Sequence, residues 1–126
     1  MKTVITSSNA PAALGPYSQA IKAGNTLYIS GQLGLDPRSG EFAGPDAASQ
    51  AKQALANLKA ILQEAGASPA NIVKTTVLLA DINDFGPVNE VYATVFNAAP
   101  PARSCFAVVS LPKGGKVEIE AIAILS

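Results

Sequence analysis

The stretch that decides the fold runs from Asp46 to Ala80 and reads DAASQAKQALANLKAILQEAGASPANIVKTTVLLA. Its first half predicts an amphipathic helix, because apolar residues recur at spacings of three and four at Ala48, Ala51, Leu55, Leu58, Leu62 and Ala65. Asp46 is the expected N-cap, and Gly66 suits the left-handed position just beyond the helix. The second half, residues 72–80, is apolar and β-branched, which predicts a central strand.

Five further strands and a second helix are predicted on either side of this stretch. The strands cover residues 2–6, 18–23, 26–30, 103–109 and 117–125, and the helix follows Asp84 and runs to Phe96. The element order is β-β-β-α-β-α-β-β. This order predicts one α+β domain over residues 1–126, with two helices on one face of a mixed six-stranded sheet.

The composition indicates self-association. Charged residues make up 14% of the chain, against roughly 25% in an average soluble domain. Nine basic residues balance nine acidic ones, so the surface does little to keep copies apart. Because no third helix remains to cover the second face of the sheet, we expect further copies of the chain to cover it.

Several function classes are excluded by residue types that the chain lacks. Without histidine there is no Ser-His-Asp triad and no histidine-ligated metal, and one cysteine excludes a cysteine-rich zinc site. A pI near 6.2 without a basic run argues against nucleic-acid binding. No apolar run is long enough to span a membrane, and the N-terminus reads as a strand rather than a signal peptide. We therefore expect a cytoplasmic protein without metal or cofactor.

Arg103 is the cation best suited to an acidic ligand. It follows Pro100-Pro101-Ala102 and opens an apolar strand, where a permanently charged guanidinium needs a partner. Its planar fork matches a carboxylate held by two parallel hydrogen bonds. That carboxylate is either a structural one within the chain or one carried by a ligand. Arg38, the other arginine, lies in a polar turn and is interpreted as solvated.

Glu118 and Glu120 are the candidates for acid/base chemistry. They lie two residues apart on a predicted strand, so their side chains share one face. Burial raises the pKa of a carboxyl group towards the range useful for proton transfer. The alternative is that both glutamates line a wet face and pair with lysines.

Cys105 and two glycine-containing turns complete the candidate groups. Because no histidine is present to generate a thiolate, Cys105 is interpreted as a small buried hydrophobe rather than a nucleophile. Tyr17 supplies a phenol, Ser30 a hydroxyl, and Gly31 lets a ligand approach the backbone closely.

Nine short stretches carry a resemblance to a known family. They are Asn9–Ala13, Gly15–Ala20, Ile29–Gln32, Val73–Val77, Asp84–Phe85, Val88–Asn89, Pro101–Cys105, Leu111–Pro112 and Val117–Ala121. With these motifs the chain resembles the Rid family of reactive-intermediate imine deaminases, of the RidA kind, along essentially its whole length.

The resemblance implies a chorismate-mutase-like fold and a homotrimer with its sites between subunits. It implies hydrolysis of 2-imino acids, such as 2-iminopropanoate and 2-iminobutanoate, to 2-oxo acids and ammonia. These imines come from 2-aminoacrylate and 2-aminocrotonate. In the family pattern the arginine matched by Arg103 anchors the substrate carboxylate, and the glutamate matched by Glu118 positions the water. The other substrate-binding positions match Tyr17, Ser30, Gly31, Phe85, Asn89 and Cys105.

Two alternatives to the deaminase stay open. One is a trimer that binds 2-oxo acids for regulation without turnover, and the other is an RNA-cleaving or holdase-like relative. For the deaminase, an antiparallel hairpin of the last two strands would place Arg103 opposite residue 123 or 124. Glu118 would then lie about 16 Å away along the strand, so we expect the site to be assembled from two subunits.

Overall fold

Six strands and two helices make up the structure, a computed structural model that describes residues 1–126. The strands are β1 (Lys2–Ile5), β2 (Ala20–Ala23), β3 (Thr26–Leu33), β4 (Ile72–Leu79), β5 (Ala102–Ala107) and β6 (Val117–Ile124). The helices are α1 (Ala47–Glu64) and α2 (Phe85–Val95). The predicted α+β class, with two helices on one face of a six-stranded sheet, is confirmed. Neither helix has both the length and the hydropathy to cross a membrane.

The strands form one mixed sheet in the order β1-β2-β3-β6-β4-β5. β6 lies between β3 and β4 and is antiparallel to both. β5 pairs in parallel with β4 at one edge, so the hairpin expected between β5 and β6 is wrong. The reason lies in α2, which connects β4 to β5: a parallel pair requires a crossover, and a helix supplies one.

α1 begins and ends as its sequence predicts. The Asp46 carboxylate accepts a hydrogen bond from the Ser49 backbone N–H at 2.9 Å, and Gly66 adopts φ +76° beyond the last turn. The buried stripe starts at Ala47 rather than Ala48 and continues through fully buried leucines and isoleucine. These side chains pack α1 on β3 and β6.

The two faces of the sheet have different surroundings. On the helix-covered face, alternate residues of β6 are buried from Val117 to Ala123. The other side, here called the open face, carries the intervening residues of each strand. Tyr28, Phe106 and Ile124 lie on the open face with 51%, 48% and 43% of their surface exposed. The open face therefore presents large apolar side chains that this chain does not cover.

Several boundaries differ from the sequence-based expectations: β2 begins at Ala20 rather than at residue 18, and β5 ends at Ala107 rather than at residue 109. β3 does not end near Ser30 but continues to Leu33, because a bulge between Ile29 and Gln32 shifts its register with β6. Asp84 directly precedes α2 but makes no side-chain cap. The side-chain cap belongs to Asp81, which accepts from the Asn83 backbone N–H at 2.9 Å.

Candidate active site

The candidate residues form two groups on opposite faces of the sheet. Arg103 on β5 is in register with Thr75 on β4, and Thr75 with Ala121 on β6. Ala121 is three residues from Glu118, and an odd separation on a strand places side chains on opposite faces. Arg103 therefore points to the helix-covered face and Glu118 to the open face. The two side chains do not converge within one chain.

Glu118 owes its position to the bulge in β3. It lies opposite Leu33, just beyond the irregular residues. A Cβ atom on Gly31 would lie 2.7 Å from Oε2 of Glu118, so only glycine leaves room for the carboxylate there. The bulge and its glycine thus create the recess that holds this carboxylate.

The surroundings of Glu118 disfavour its ionised form. The pKa of its carboxyl is raised, first by burial and second by the negative charge of Glu120. A half-buried carboxylate of this kind can accept a proton from a water that it holds. The alternative of lysine pairing for these glutamates is wrong, since neither lies within salt-bridge distance of a lysine.

Ser30 and Tyr17 lie beside Glu118. Tyr17 belongs to the loop that joins β1 to β2, and Ser30 is bonded to the end of that loop. The Ser30 hydroxyl donates to the Ser18 carbonyl at 2.6 Å, and its backbone N–H donates to the Gln19 carbonyl at 2.9 Å. The Tyr17 ring is half-exposed at the mouth of the recess. A cavity of about 590 Å³ includes all of these groups, and the loop supplies Pro11 and Leu14 to its wall.

The buried Gln19 side chain fastens this loop to the sheet. Its amide nitrogen donates to the carbonyls of Ser7 at 3.1 Å, Pro11 at 2.8 Å and, more weakly, Ala10 at 3.4 Å. Its amide oxygen accepts from the Ser7 backbone N–H at 2.6 Å. One glutamine therefore satisfies several backbone groups of a segment without regular secondary structure.

Arg103 is held by an amide and two aromatic rings. Its Nη1 donates to Oδ1 of Asn89 at 2.6 Å. Its Cζ lies 4.8 Å from the ring centroid of Tyr92 and 5.5 Å from that of Phe85, both within cation–π range. A second cavity, of about 550 Å³, opens beside the guanidinium and reaches Pro100.

No carboxylate of the chain pairs with Arg103. The one intrachain salt bridge joins Arg38 to Asp36 at 3.8 Å in an exposed turn. The alternative of a structural carboxylate for Arg103 is therefore wrong. A charged fork with unused donors beside a cavity can bind a ligand carboxylate.

Cys105 lies two residues beyond Arg103 on the same face of β5. Burial raises the pKa of its thiol, and the nearby Arg103 charge offsets part of that increase. The thiol is therefore neutral near pH 7 and is a poor nucleophile. This agrees with the interpretation that Cys105 is not a nucleophile, although its side chain is partly buried rather than buried.

The family model described as Endoribonuclease L-PSP matches residues 7–125. The chain belongs to the Endoribonuclease L-PSP family. A mouse (Mus musculus) protein named 2-iminobutanoate/2-iminopropanoate deaminase is 56% identical, over 98% of this chain and 92% of that protein. The Rid family predicted from the sequence motifs is thereby confirmed.

Two solved structures of this family superimpose closely on the chain. RidA from the Antarctic bacterium Psychrobacter sp. PAMC 21119 gives a TM-score of 0.94 at 47% identity, covering 98% of this chain and 99% of that one. E. coli TdcF with bound serine also gives 0.94, at 44% identity and with the same coverage. The Endoribonuclease L-PSP fold therefore extends over almost the whole chain.

Three residues of this Endoribonuclease L-PSP family member contact the candidate groups but were not among the predicted site residues. The Tyr92 ring packs against the Arg103 guanidinium, and the Thr75 hydroxyl is bonded to the Tyr92 hydroxyl. The Gln19 amide is bonded to the backbone of the loop that contains Tyr17. Tyr92 fits the apolar stripe of α2, so the sequence indicates only a core residue. Gln19 is part of the quoted Gly15–Ala20 motif. In the sequence, the available signal is a glutamine at the end of a loop rich in alanine, proline and glycine, whose backbone groups need partners.

Proposed function

We propose that the protein is an imine deaminase that hydrolyses 2-imino acids, such as 2-iminopropanoate and 2-iminobutanoate, to 2-oxo acids and ammonia. The observation that carries this proposal is the Arg103 guanidinium, which is stacked on aromatic rings, bonded to one amide and paired with no carboxylate of its own chain. The name of the mouse relative supports the reaction. The serine bound to E. coli TdcF supports a site for small molecules that carry a carboxylate.

Arg103 sets the orientation of the substrate. With Asn89 engaged on one Nη, the remaining edge of the guanidinium can take both oxygens of the 2-imino acid carboxylate. This pair fixes the imine carbon relative to the protein. A fixed geometry removes much of the entropic cost of bringing water and substrate together.

Glu118 holds the water that attacks. The imine carbon is already electrophilic, so the water oxygen adds to it while Glu118 accepts a water proton. With the imine nitrogen protonated, this addition gives a neutral carbinolamine. Glu118 returns the proton to the carbinolamine nitrogen, the C–N bond breaks and ammonia leaves, and the hydroxyl gives its proton to solvent as the carbonyl forms. One carboxylate suffices for these proton transfers, and the reaction as written requires no metal or cofactor.

We also propose that the site forms between subunits of a homotrimer. Within one chain, Arg103 and Glu118 point to opposite faces of the sheet and border different cavities. Two strand spacings and three residues separate their Cα atoms, about 14 Å in all. Apolar side chains on the open face support contact with further copies.

The proposed site then has two halves from different subunits. The Arg103 half would also contain Phe85, Asn89 and Cys105, and the Glu118 half would contain Tyr17, Ser30 and Gly31. We place the trimer in the cytoplasm, in keeping with one free cysteine.

The experiment follows imine decay directly. A pyridoxal-phosphate dehydratase acting on serine or threonine supplies the enamine, and imine disappearance is measured with and without the protein. We expect acceleration by the wild type and none by Arg103→Ala. Failure of the wild type to accelerate decay would overturn the deaminase. Binding of 2-oxobutanoate without acceleration would then favour a regulatory 2-oxo acid trimer.

RNA cleavage is the second candidate, favoured by the description of the family as an endoribonuclease. Against it, the chain has zero formal net charge, and counterion release from basic residues supplies much of RNA affinity. Incubation of the same preparation with single-stranded RNA tests it. We expect no cleavage above that of Arg103→Ala purified in parallel.

A further inference from the structure

Tyr92 provides the closer of the two aromatic faces against Arg103. The guanidinium carbon is 4.8 Å from the Tyr92 centroid and 5.5 Å from that of Phe85. Only 6% of Tyr92 is exposed, whereas Phe85 is 38% exposed. A guanidinium over a buried ring gains more from the cation–π contact than one over a solvated ring. Tyr92 is therefore the stronger of the two supports.

The Tyr92 side chain is itself fixed by two contacts, one at its hydroxyl and one at its ring. Its hydroxyl shares a 2.7 Å hydrogen bond with the Thr75 hydroxyl, and Thr75 is fully buried on β4. Its ring packs against Phe96 with centroids 4.6 Å apart. Because Thr75 is also the register partner of Arg103, the strand pair that carries the cation also fixes the ring beneath it.

We propose that Tyr92 is a positioning residue that holds the Arg103 guanidinium in the orientation needed to bind a carboxylate, with Thr75 acting through the Tyr92 hydroxyl. Contact with the ring restricts the guanidinium plane, and the Asn89 amide restricts rotation within that plane. Together they leave one edge of the fork directed to the ligand. The consequence for catalysis rests on the proposed deaminase function, but the restraint on Arg103 does not.

The restraint can be measured without any ligand. The chain has only two arginines, Arg38 and Arg103, and Arg38 is almost fully exposed. In ¹⁵N NMR of the arginine Nε–Hε groups, we expect Arg103 to be rigid and shifted upfield by the ring current, with Arg38 as a mobile internal reference. Arg103→Lys assigns the signal. Equal mobility and equal shifts of the two arginines in the wild-type protein would overturn the proposal, even if no variant folds.

Variants of Tyr92 and Thr75 separate the ring face from the hydroxyl. Tyr92→Leu removes the face, so we expect Arg103 to become mobile and to lose its upfield shift. Tyr92→Phe keeps the face, and Thr75→Val removes the partner hydroxyl, so both should give intermediate mobility. Leu27→Ala, a change at a fully buried residue of β3, is the matched control for general destabilisation and should leave the Arg103 signal in place. An unchanged Arg103 signal in Tyr92→Leu would contradict the proposal.

Binding of 2-oxobutanoate connects this restraint to function. By calorimetry we expect Tyr92→Leu to weaken 2-oxobutanoate binding about fivefold, as for loss of a partly buried cation–π contact. KM for the imine should rise by a similar factor with little change in kcat, because the anchor binds ground and transition states alike. In an Arg103→Lys background, which keeps the charge but loses the fork, the added effect of Tyr92→Leu should be smaller. An equal effect in both backgrounds would mean that Tyr92 acts only on the fold.

A wild-type protein that neither binds 2-oxobutanoate nor hydrolyses imines would count against the proposed function. The positioning role would then be decided by the NMR measurement alone.

Discussion

At the scale of single residues, two ionisable side chains carry the proposed chemistry in opposite kinds of surroundings. The Arg103 guanidinium lies among aromatic rings that favour a cation. Glu118 lies in a recess where burial and a like charge disfavour ionisation. One group is suited to binding and the other to proton transfer.

The anchoring role of Arg103 predicts a large loss on substitution. Arg103→Ala should lower kcat/KM at least about 100-fold, because hydrogen bonds to charged groups contribute about 1.5–3 kcal/mol each. Arg103→Lys should recover little, since a point charge does not reproduce the fork. Steady-state kinetics of imine hydrolysis measures both. Arg38→Ala, at the solvated arginine, is the control and should behave as wild type; activity retained by Arg103→Ala would remove the anchor role.

The position of Glu118 predicts a specific pH dependence. Protonation removes its ability to accept a proton, so kcat/KM should fall as pH drops through the Glu118 pKa. Since Glu120 raises that pKa, Glu120→Gln should lower it and extend activity to more acidic pH. Glu64→Gln, on the exposed side of α1, should leave the profile unchanged. If the acid limb of Glu120→Gln coincides with that of the wild type, Glu118 is not the group that titrates.

At the scale of elements, much of the structure is predictable because local signals agree with one another. The Asp46 cap, the apolar spacing of α1 and Gly66 all indicate the same helix, and the structure contains it. The order of the strands in the sheet depends instead on pairing between strands that are distant in the sequence. The hairpin prediction for β5 and β6 considered only the short connection between them and ignored the α2 crossover that makes β5 parallel to β4.

The loop between β1 and β2 depends on one side chain, so we expect it to respond strongly to substitution there. Gln19→Leu leaves buried backbone groups unpaired and should lower the free energy of unfolding by about 2–4 kcal/mol. Amide exchange of residues 7–17 should increase. Gln63→Leu, on the exposed face of α1, should change stability by less than about 0.5 kcal/mol. Chemical denaturation and hydrogen exchange provide the two readouts; unchanged exchange of the loop in Gln19→Leu would show that its anchor lies elsewhere.

At the scale of the whole molecule, the sheet separates the two halves of the proposed site. The members of that site are predictable from the motifs because each motif is local in sequence. That Arg103 and Glu118 face opposite sides is not predictable from motifs, because it depends on the register of β5, β4 and β6. The apolar composition predicted self-association, and the open face shows where apolar side chains remain exposed in the single chain.

A site shared between subunits predicts complementation between inactive variants. Arg103→Ala and Glu118→Gln should each be inactive or nearly so alone. When the two chains are unfolded and refolded together, about a quarter of the sites in a randomly mixed cyclic oligomer should combine an intact arginine with an intact glutamate. Imine hydrolysis should reappear in proportion, and light scattering should give three times the 12.8 kDa chain mass. Mixed oligomers, proved by mass tags, that remain inactive would place the whole site in one chain.

The two walls of the cavity beside Glu118 differ in how freely they can change. A side chain at position 31 would displace the Glu118 carboxylate from its present position, so a substitution there should alter the proposed proton transfer. The facing wall comes from the β1–β2 loop, where Leu14 is 77% exposed. New substrate preferences, whether selected in nature or in the laboratory, should therefore arise more readily at position 14 than at position 31.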